Sequence, residues 1–138
     1  RNQRQGTPLC LAMLDLDHFK RVNDQYGHAV GDQVLVAFSE LCRQQARSTD
    51  LFARFGGEEF VILLPDSDLN AAQQRLERLR NALHTQPLAT VQGPLHATVS
   101  MGLTCARPGD SLQQLLQRAD TQLYNAKAQG RNRICVDA

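Results

Sequence analysis

Seven residues, Arg54-Phe55-Gly56-Gly57-Glu58-Glu59-Phe60, constrain this chain more than any other stretch. An apolar, β-prone run (Leu51, Phe52, Phe55) leads in, and a second (Phe60 to Leu64) leads out and stops at Pro65. Two such runs around a Gly-Gly pair predict a β-hairpin, because glycine enters φ > 0 turn conformations without a Cβ clash. The hairpin places two carboxylates, Glu58 and Glu59, at or just beyond its turn. Hard divalent cations take oxygen ligands, so an acidic hairpin tip suits Mg²⁺ and a phosphate held through it. The plainer alternative is a turn whose acids face water.

At 138 residues the chain has the length of one domain able to bury a core. A formal net charge of +1 gives no electrostatic case for nucleic acid or an anionic membrane surface, and neither is expected as a partner. The longest apolar run, Leu9 to Leu14, is far short of the ~20 residues of a spanning helix. Cys10, Cys42, Cys105 and Cys135 form no Cys-x-x-Cys pair, and they read as reduced packing residues of a cytoplasmic protein.

Residues 1–8 read as a polar tail or the end of a helix belonging to preceding sequence. Leu9 to Leu14 predicts a strand buried on both faces, with Asp15 where it emerges. Asp17 is expected to cap a short helix running through Asn23, with Gly27 as its breaker and Gly31-Asp32 opening the next helix. Val34, Ala37, Phe38, Leu41 and Cys42 mark one buried face of that second helix, which runs out near Arg47. Leu69, Ala72, Leu76, Leu79 and Leu83 mark a third. Ala97 to Thr104 alternates with the period of a strand. Ser111 and Gln114 form a capping box for a last helix that Gly130 ends, and Ile134 to Val136 suits a short final strand. One domain spanning 1–138 follows, an α+β fold with helices packed on a mainly antiparallel sheet.

Three features converge on one chemistry. Asp15 lies at the end of a buried strand, Glu58 and Glu59 at a hairpin, and Lys127 and Arg131 in the last turn of a helix. If the hairpin pairs beside the first strand, Asp15 and Glu58 face each other, and two close carboxylates repel unless a cation sits between them. One or two Mg²⁺ ions there would bind triphosphate oxygens and stabilise a leaving pyrophosphate. Lys127 and Arg131, four apart on one helix face, would balance the outer phosphates. Singly, each feature also has a structural reading: a solvated strand end, or a basic turn complementing the helix dipole.

Asp15-Leu16-Asp17-His18-Phe19-Lys20, Asn23-Asp24, Gly27-His28, Gly31-Asp32, Arg54-x-Gly56-Gly57-Glu58-Glu59-Phe60, Ser100-Met101-Gly102, Arg118-Ala119-Asp120, Tyr124, Ala126-Lys127 and Gly130-Arg131-Asn132 follow one another in an order that resembles the GGDEF domain of diguanylate cyclases. The likeness runs from about Leu9 to Asn132. It implies a palm-like, nucleotidyl-cyclase-like fold with a five-stranded sheet, condensing two GTP into cyclic di-GMP with release of two pyrophosphates across a homodimer of domains. By this resemblance Asp15, Glu58 and the Leu16 carbonyl bind two Mg²⁺ (or Mn²⁺), and Glu59 lies beside the metal and reacting hydroxyl as ligand or base. Asn23 and Asp32 read the guanine, Lys20, Lys127 and Arg131 hold phosphates, and the N–H groups of Phe19 and Lys20 add donors. A carboxylate at Asp32 accepts from both N1–H and N2–H of guanine, which adenine does not offer.

Arg47-Ser48-Thr49-Asp50 matches the family's inhibitory site for its own product, with Arg78 as accessory arginine; the alternative is a helix-end arginine and a strand-entry aspartate. The resemblance also implies an upstream sensor domain and a cytoplasmic catalytic domain without direct membrane contact. The family's Asp-x-Leu-Thr-x-Leu-x-Asn-Arg element and the helix after it are missing from the front, as in a truncated domain. Two rivals remain: a non-catalytic module binding GTP or cyclic di-GMP, and a different palm-like nucleotidyl cyclase or polymerase.

Overall fold

In a computed structural model that describes residues 7–137, the chain forms five strands and four helices. Most of the expected polar tail, residues 1–6, lies outside the described residues. In chain order the elements are β1 (Leu9–Leu16), α1 (Phe19–Tyr26), α2 (His28–Gln45), β2 (Leu51–Arg54), β3 (Glu59–Pro65), α3 (Leu69–Thr85), β4 (Val99–Cys105), α4 (Leu112–Ala128) and β5 (Ile134–Asp137).

The strands form one sheet in the order β2-β3-β1-β4-β5, antiparallel except for the β4–β5 pair. β1 is therefore central, which is why its apolar run shows no polar alternation. Its even residues, Cys10, Ala12, Leu14 and Leu16, join Phe38, Leu41, Leu76, Leu79 and Leu83 in the larger core beneath α2 and α3. Its odd residues Leu11 and Met13 join Val61, Leu115, Ala119 and Leu123 beneath α4. The two-residue period of one strand thus divides the core between two faces of the sheet. Phe60 is wholly buried between Phe38, edge-on at 5.1 Å, and Phe52, stacked at 5.5 Å, fixing the hairpin root against α2.

Helix starts follow the sequence unevenly. Ser111 and Gln114 form the expected capping box, with Gln114 N donating to Ser111 Oγ at 3.1 Å and Ser111 N to Gln114 Oε1 at 2.8 Å. Asp68 caps α3 by accepting from Ala71 N at 2.8 Å. α2, expected to open at Gly31-Asp32, begins at His28, because Gly27 at φ 91° turns the chain at once from α1 into α2. The expectation that Asp17 caps α1 is not met: the N-cap is His18, at φ 58° and without a side-chain cap.

Two further expectations are corrected. Gly56 and Gly57 are not among the residues of positive φ. The turn is instead closed by the Arg54 guanidinium, whose Nε donates to Gly56 O and Gly57 O at 3.1 and 3.0 Å, and by Phe55 N and Gly56 N, which both donate to Glu59 O. Nor are all four cysteines reduced. Cys10 and Cys105 are joined as a disulfide, because the β1–β4 register sets them opposite each other although they stand 95 residues apart. Cys42 and Cys135 are free, and burial pushes the Cys42 thiol far up. No described helix is long and apolar enough to cross a membrane.

Candidate active site

The central strand carries the first acid. Asp15 is 3% exposed, and in the β1–β3 register it stands opposite Glu59. Leu16 N donates to Glu58 O at 3.4 Å, so both hairpin acids are drawn to the end of β1. The pairing of the hairpin with the first strand, on which the sequence reading is conditional, produces this junction. Opposite it, α4 ends over the same edge. A Cβ at Gly102 would lie 2.1 Å from Ala119 O and 2.3 Å from Leu123 N, so the α4 backbone rests directly on β4. One turn beyond Leu123, Lys127 Nζ donates to Asp15 Oδ2.

The electrostatics are those of a crowded acid cluster. Burial pushes the Asp15 carboxyl up, and its bond to Lys127 opposes that rise. Burial also raises Glu58, reinforced by the charges of Asp15 and Glu59. Glu59 is raised by burial and then by Asp15 and Asp120. The group holds more negative charge than Lys127 alone relieves.

A cavity of about 300 Å³ opens here, lined by Asp15, Leu16, Phe19, Lys20, Glu58, Lys127 and Arg131, with Asp17, His18, Arg21 and Asp24 at its sides. Seven residues singled out from sequence therefore meet in one hollow. Lys20 lies exposed at its rim, paired with Asp24 at 3.0 Å. Glu59, Asn23 and Asp32 do not line it: Glu59 stands across from Asp15 on β3, and Asn23 and Asp32 belong to α1 and α2. Among the described residues no three acidic, histidine or cysteine side chains form a metal site by themselves. The donor set still fits Mg²⁺, which is held by one or two carboxylates and completed by water and substrate phosphates rather than caged by protein. Asp15 and Glu58, with the Leu16 carbonyl between them in sequence, supply such hard oxygens.

Sequence reasoning missed the anchor of this corner. Asp17 is buried, and its carboxylate accepts from Thr98 Oγ1 at 2.7 Å, Ser100 Oγ at 2.6 Å and Asn132 N at 3.0 Å. It ties the end of β1 to β4 and to the turn after α4, beside Arg131. The hydroxyls of Thr98 and Ser100, on the inward side of the alternating stretch at the start of β4, were the signal for a buried acceptor.

The Arg47–Asp50 motif lies at the other end of the sheet. Arg47 N donates to Asp50 Oδ2 at 2.8 Å, and its guanidinium donates to Pro65 O at 2.8 Å and Ser67 Oγ at 2.9 Å. The Asp50 side chain is fully buried and paired with Arg75, which sequence reasoning did not select. Arg78, three residues along α3, is exposed.

A family model described as "Diguanylate cyclase, GGDEF domain" matches residues 1–133. The chain belongs to the GGDEF domain family of diguanylate cyclases. Among curated relatives, the GGDEF domain described here is 46% identical over 136 residues to diguanylate cyclase DgcP of Pseudomonas aeruginosa, covering 99% of this chain and 20% of that protein. It is 40% identical over 132 residues to the response regulator PleD of Caulobacter vibrioides, covering 94% of this chain and 29% of PleD. The chain thus spans less than a third of these two relatives. Among solved structures, the GGDEF domain of DgcB from Caulobacter crescentus in complex with c-di-GMP superposes with a TM-score of 0.92 at 36% identity, over 98% of this chain and 81% of that one. The active GGEEF domain of a diguanylate cyclase from Vibrio cholerae gives 0.90 at 34%, over 99% and 86%. The five-stranded, mostly antiparallel α+β fold is shared with these GGDEF structures.

Proposed function

We propose that this GGDEF domain condenses two GTP molecules into cyclic di-(3′,5′)-GMP, each of two domains in a homodimer presenting one bound nucleotide to the other. The observation that carries the reading is the meeting of Asp15, Glu58 and Lys127 in one cavity at the end of β1. Asp15, Glu58 and the Leu16 carbonyl would hold two Mg²⁺ ions. When bound, these supply Lewis-acid stabilisation of phosphate charge and make a nearby 3′-hydroxyl easier to deprotonate.

The chain's own groups then have distinct tasks. Lys127 would turn its ammonium from Asp15 to the outer phosphates, joined by Arg131 from the turn that Asp17 anchors. Lys20 reaches the same phosphates from the rim, exchanging Asp24 for a more highly charged partner. The first N–H groups of α1, at Phe19 and Lys20, have no intrahelical acceptor and add donors. Glu59, paired across from Asp15 in the sheet, would act beside the metal and the attacking hydroxyl as ligand or base. Asn23 and Asp32 read the guanine base. In-line attack of each 3′-oxygen on the partner's α-phosphorus forms one P–O bond and expels pyrophosphate as the other breaks.

At the far end, Arg47, Asp50 and Arg78 would bind the cyclic product and restrain turnover. The test of the central reading is incubation with Mg²⁺ and GTP, and separately ATP, followed by chromatography of the products. Cyclic di-GMP is expected from GTP alone, and Glu58→Gln is expected to lower its formation at least 100-fold, as loss of a transition-state charge contact does. Turnover by purified Glu58→Gln near the wild-type rate would refute the metal assignment.

A further inference from the structure

Helices α1 and α2 are joined through Gly27 alone, so the second half of α1 folds back on the first turn of α2. The junction is stitched by Gly27 N donating to Asn23 O at 2.9 Å and Gly31 N donating to Gly27 O at 3.1 Å. Gly31, buried in that first turn, lies directly under the Asn23 side chain. A Cβ at Gly31 would stand 1.9 Å from Asn23 Oδ1, 3.0 Å from Asn23 Cγ and 3.2 Å from Phe19 Cζ.

Backbone conformation does not call for glycine here, because Gly31 is helical and is not among the glycines of positive φ. By helix propensity alone alanine would be the better residue. What glycine supplies is the space that the Asn23 amide occupies. The next residue is Asp32, exposed on the same turn, and neither Asn23 nor Asp32 makes a side-chain hydrogen bond or ion pair with another described residue. An amide offers both a donor and an acceptor and a carboxylate offers acceptors, so together they supply the mixed polar groups a purine base needs.

We propose that Gly31 is a positioning residue for base recognition: its missing side chain is the recess in which the Asn23 amide is laid. The inference rests on the assignment of Asn23 and Asp32 to guanine under the proposed function. A methyl at Gly31 cannot coexist with the present Asn23 rotamer, since 1.9 Å is far inside contact distance, and the stitched junction gives α1 little room to retreat. The amide is turned away and the base loses one partner, while the Phe19 ring, met at 3.2 Å, has only to give by a few tenths of an ångström.

The test is calorimetric binding of a non-hydrolysable GTP analogue with Mg²⁺ to wild type, Gly31→Ala, Asn23→Ala and the double variant, together with KM, kcat and melting temperature for each. Gly31→Ala is expected to weaken binding about ten-fold, the worth of one well-placed hydrogen bond, with KM raised, kcat at saturation nearly unchanged and the melting temperature not lowered. In the Asn23→Ala background the same substitution is expected to change nothing further, because the amide it would displace is already gone. Wild-type affinity in Gly31→Ala would overturn the proposal while leaving the cyclase reading standing. A ten-fold loss repeated in the Asn23→Ala background would overturn it as well, placing the methyl's effect elsewhere. Failure of the wild type to bind the analogue at all would sink the guanine assignment, and this inference with it.

Discussion

Lys127 and Asp15 form the contact on which the rest of the site turns. A buried carboxylate costs free energy unless it is paired, and the ammonium from α4 pairs it. Glu58 and Glu59 make no such bond and gain only longer-range relief from Lys127, and burial, joined by repulsion from neighbouring acids, holds all three carboxyls above their usual range. Below about pH 4, where these acids are protonated in folded and unfolded chains alike, the cluster costs little. As pH rises through their raised folded values, each must ionise against its neighbours, and the metal-free domain loses stability that the unfolded chain does not lose. The melting temperature of the metal-free domain should therefore fall as the pH is taken upward from about 4 to 7. Mg²⁺ at about a hundred times its Kd should restore it by on the order of 10 °C at pH 7, and by less at pH 5. Scanning calorimetry with and without chelator at the two pH values measures this directly, and an equal gain at both would argue against a cation on these acids.

Among the elements, α4 does most to place the site, and its docking depends on Gly102. The helix backbone lies so close to β4 that any side chain there meets Ala119 O and Leu123 N. Its other end is held by Arg118, which donates to Asp110 Oδ1 and Oδ2 at 3.0 and 2.8 Å and to Asp137 Oδ2 at 2.9 Å, keeping the Asp110 carboxyl below its usual range. Gly102→Ala should cost about 1–3 kcal/mol of stability by overpacking, read from the urea midpoint at unchanged slope, and should also lower turnover by shifting Lys127. The helices themselves were legible from three- and four-residue apolar steps, and the α4 start from its capping box. What was not legible came from contacts between segments distant in sequence. Asp17 looked like a cap because its hydroxyl partners lie more than 80 residues away. Cys10 and Cys105 looked unpaired because only strand register brings them together. The pairing of Arg75 with the buried Asp50 was not visible because the two stand 25 residues apart in the chain.

Across the whole molecule, the sheet separates two charged ends. The acid cluster stands where β1 ends and β3 begins, and Arg47 bonds the carbonyl of Pro65, the last residue of β3. Seven strand residues put about 20 Å between them, so a ligand of nucleotide size at one end does not touch the other. Restraint of turnover by the product at the Arg47 end would then act by holding domains apart or altering their approach. Arg47→Ala should abolish product binding there, with at least a ten-fold loss in affinity for cyclic di-GMP by calorimetry, while GTP turnover in dilute product persists. Undiminished affinity in that variant would remove this end of the sheet from the account. The two curated relatives named above are several times the length of this GGDEF domain.

The most direct test is a crystal of this domain soaked with Mn²⁺ and a non-hydrolysable GTP analogue, with the metal located by its anomalous scattering. The account predicts an anomalous peak between the carboxylates of Asp15 and Glu58, with Lys127 withdrawn from Asp15 onto the phosphates. A nucleotide bound with no peak at those oxygens, and Lys127 still on Asp15, would contradict it.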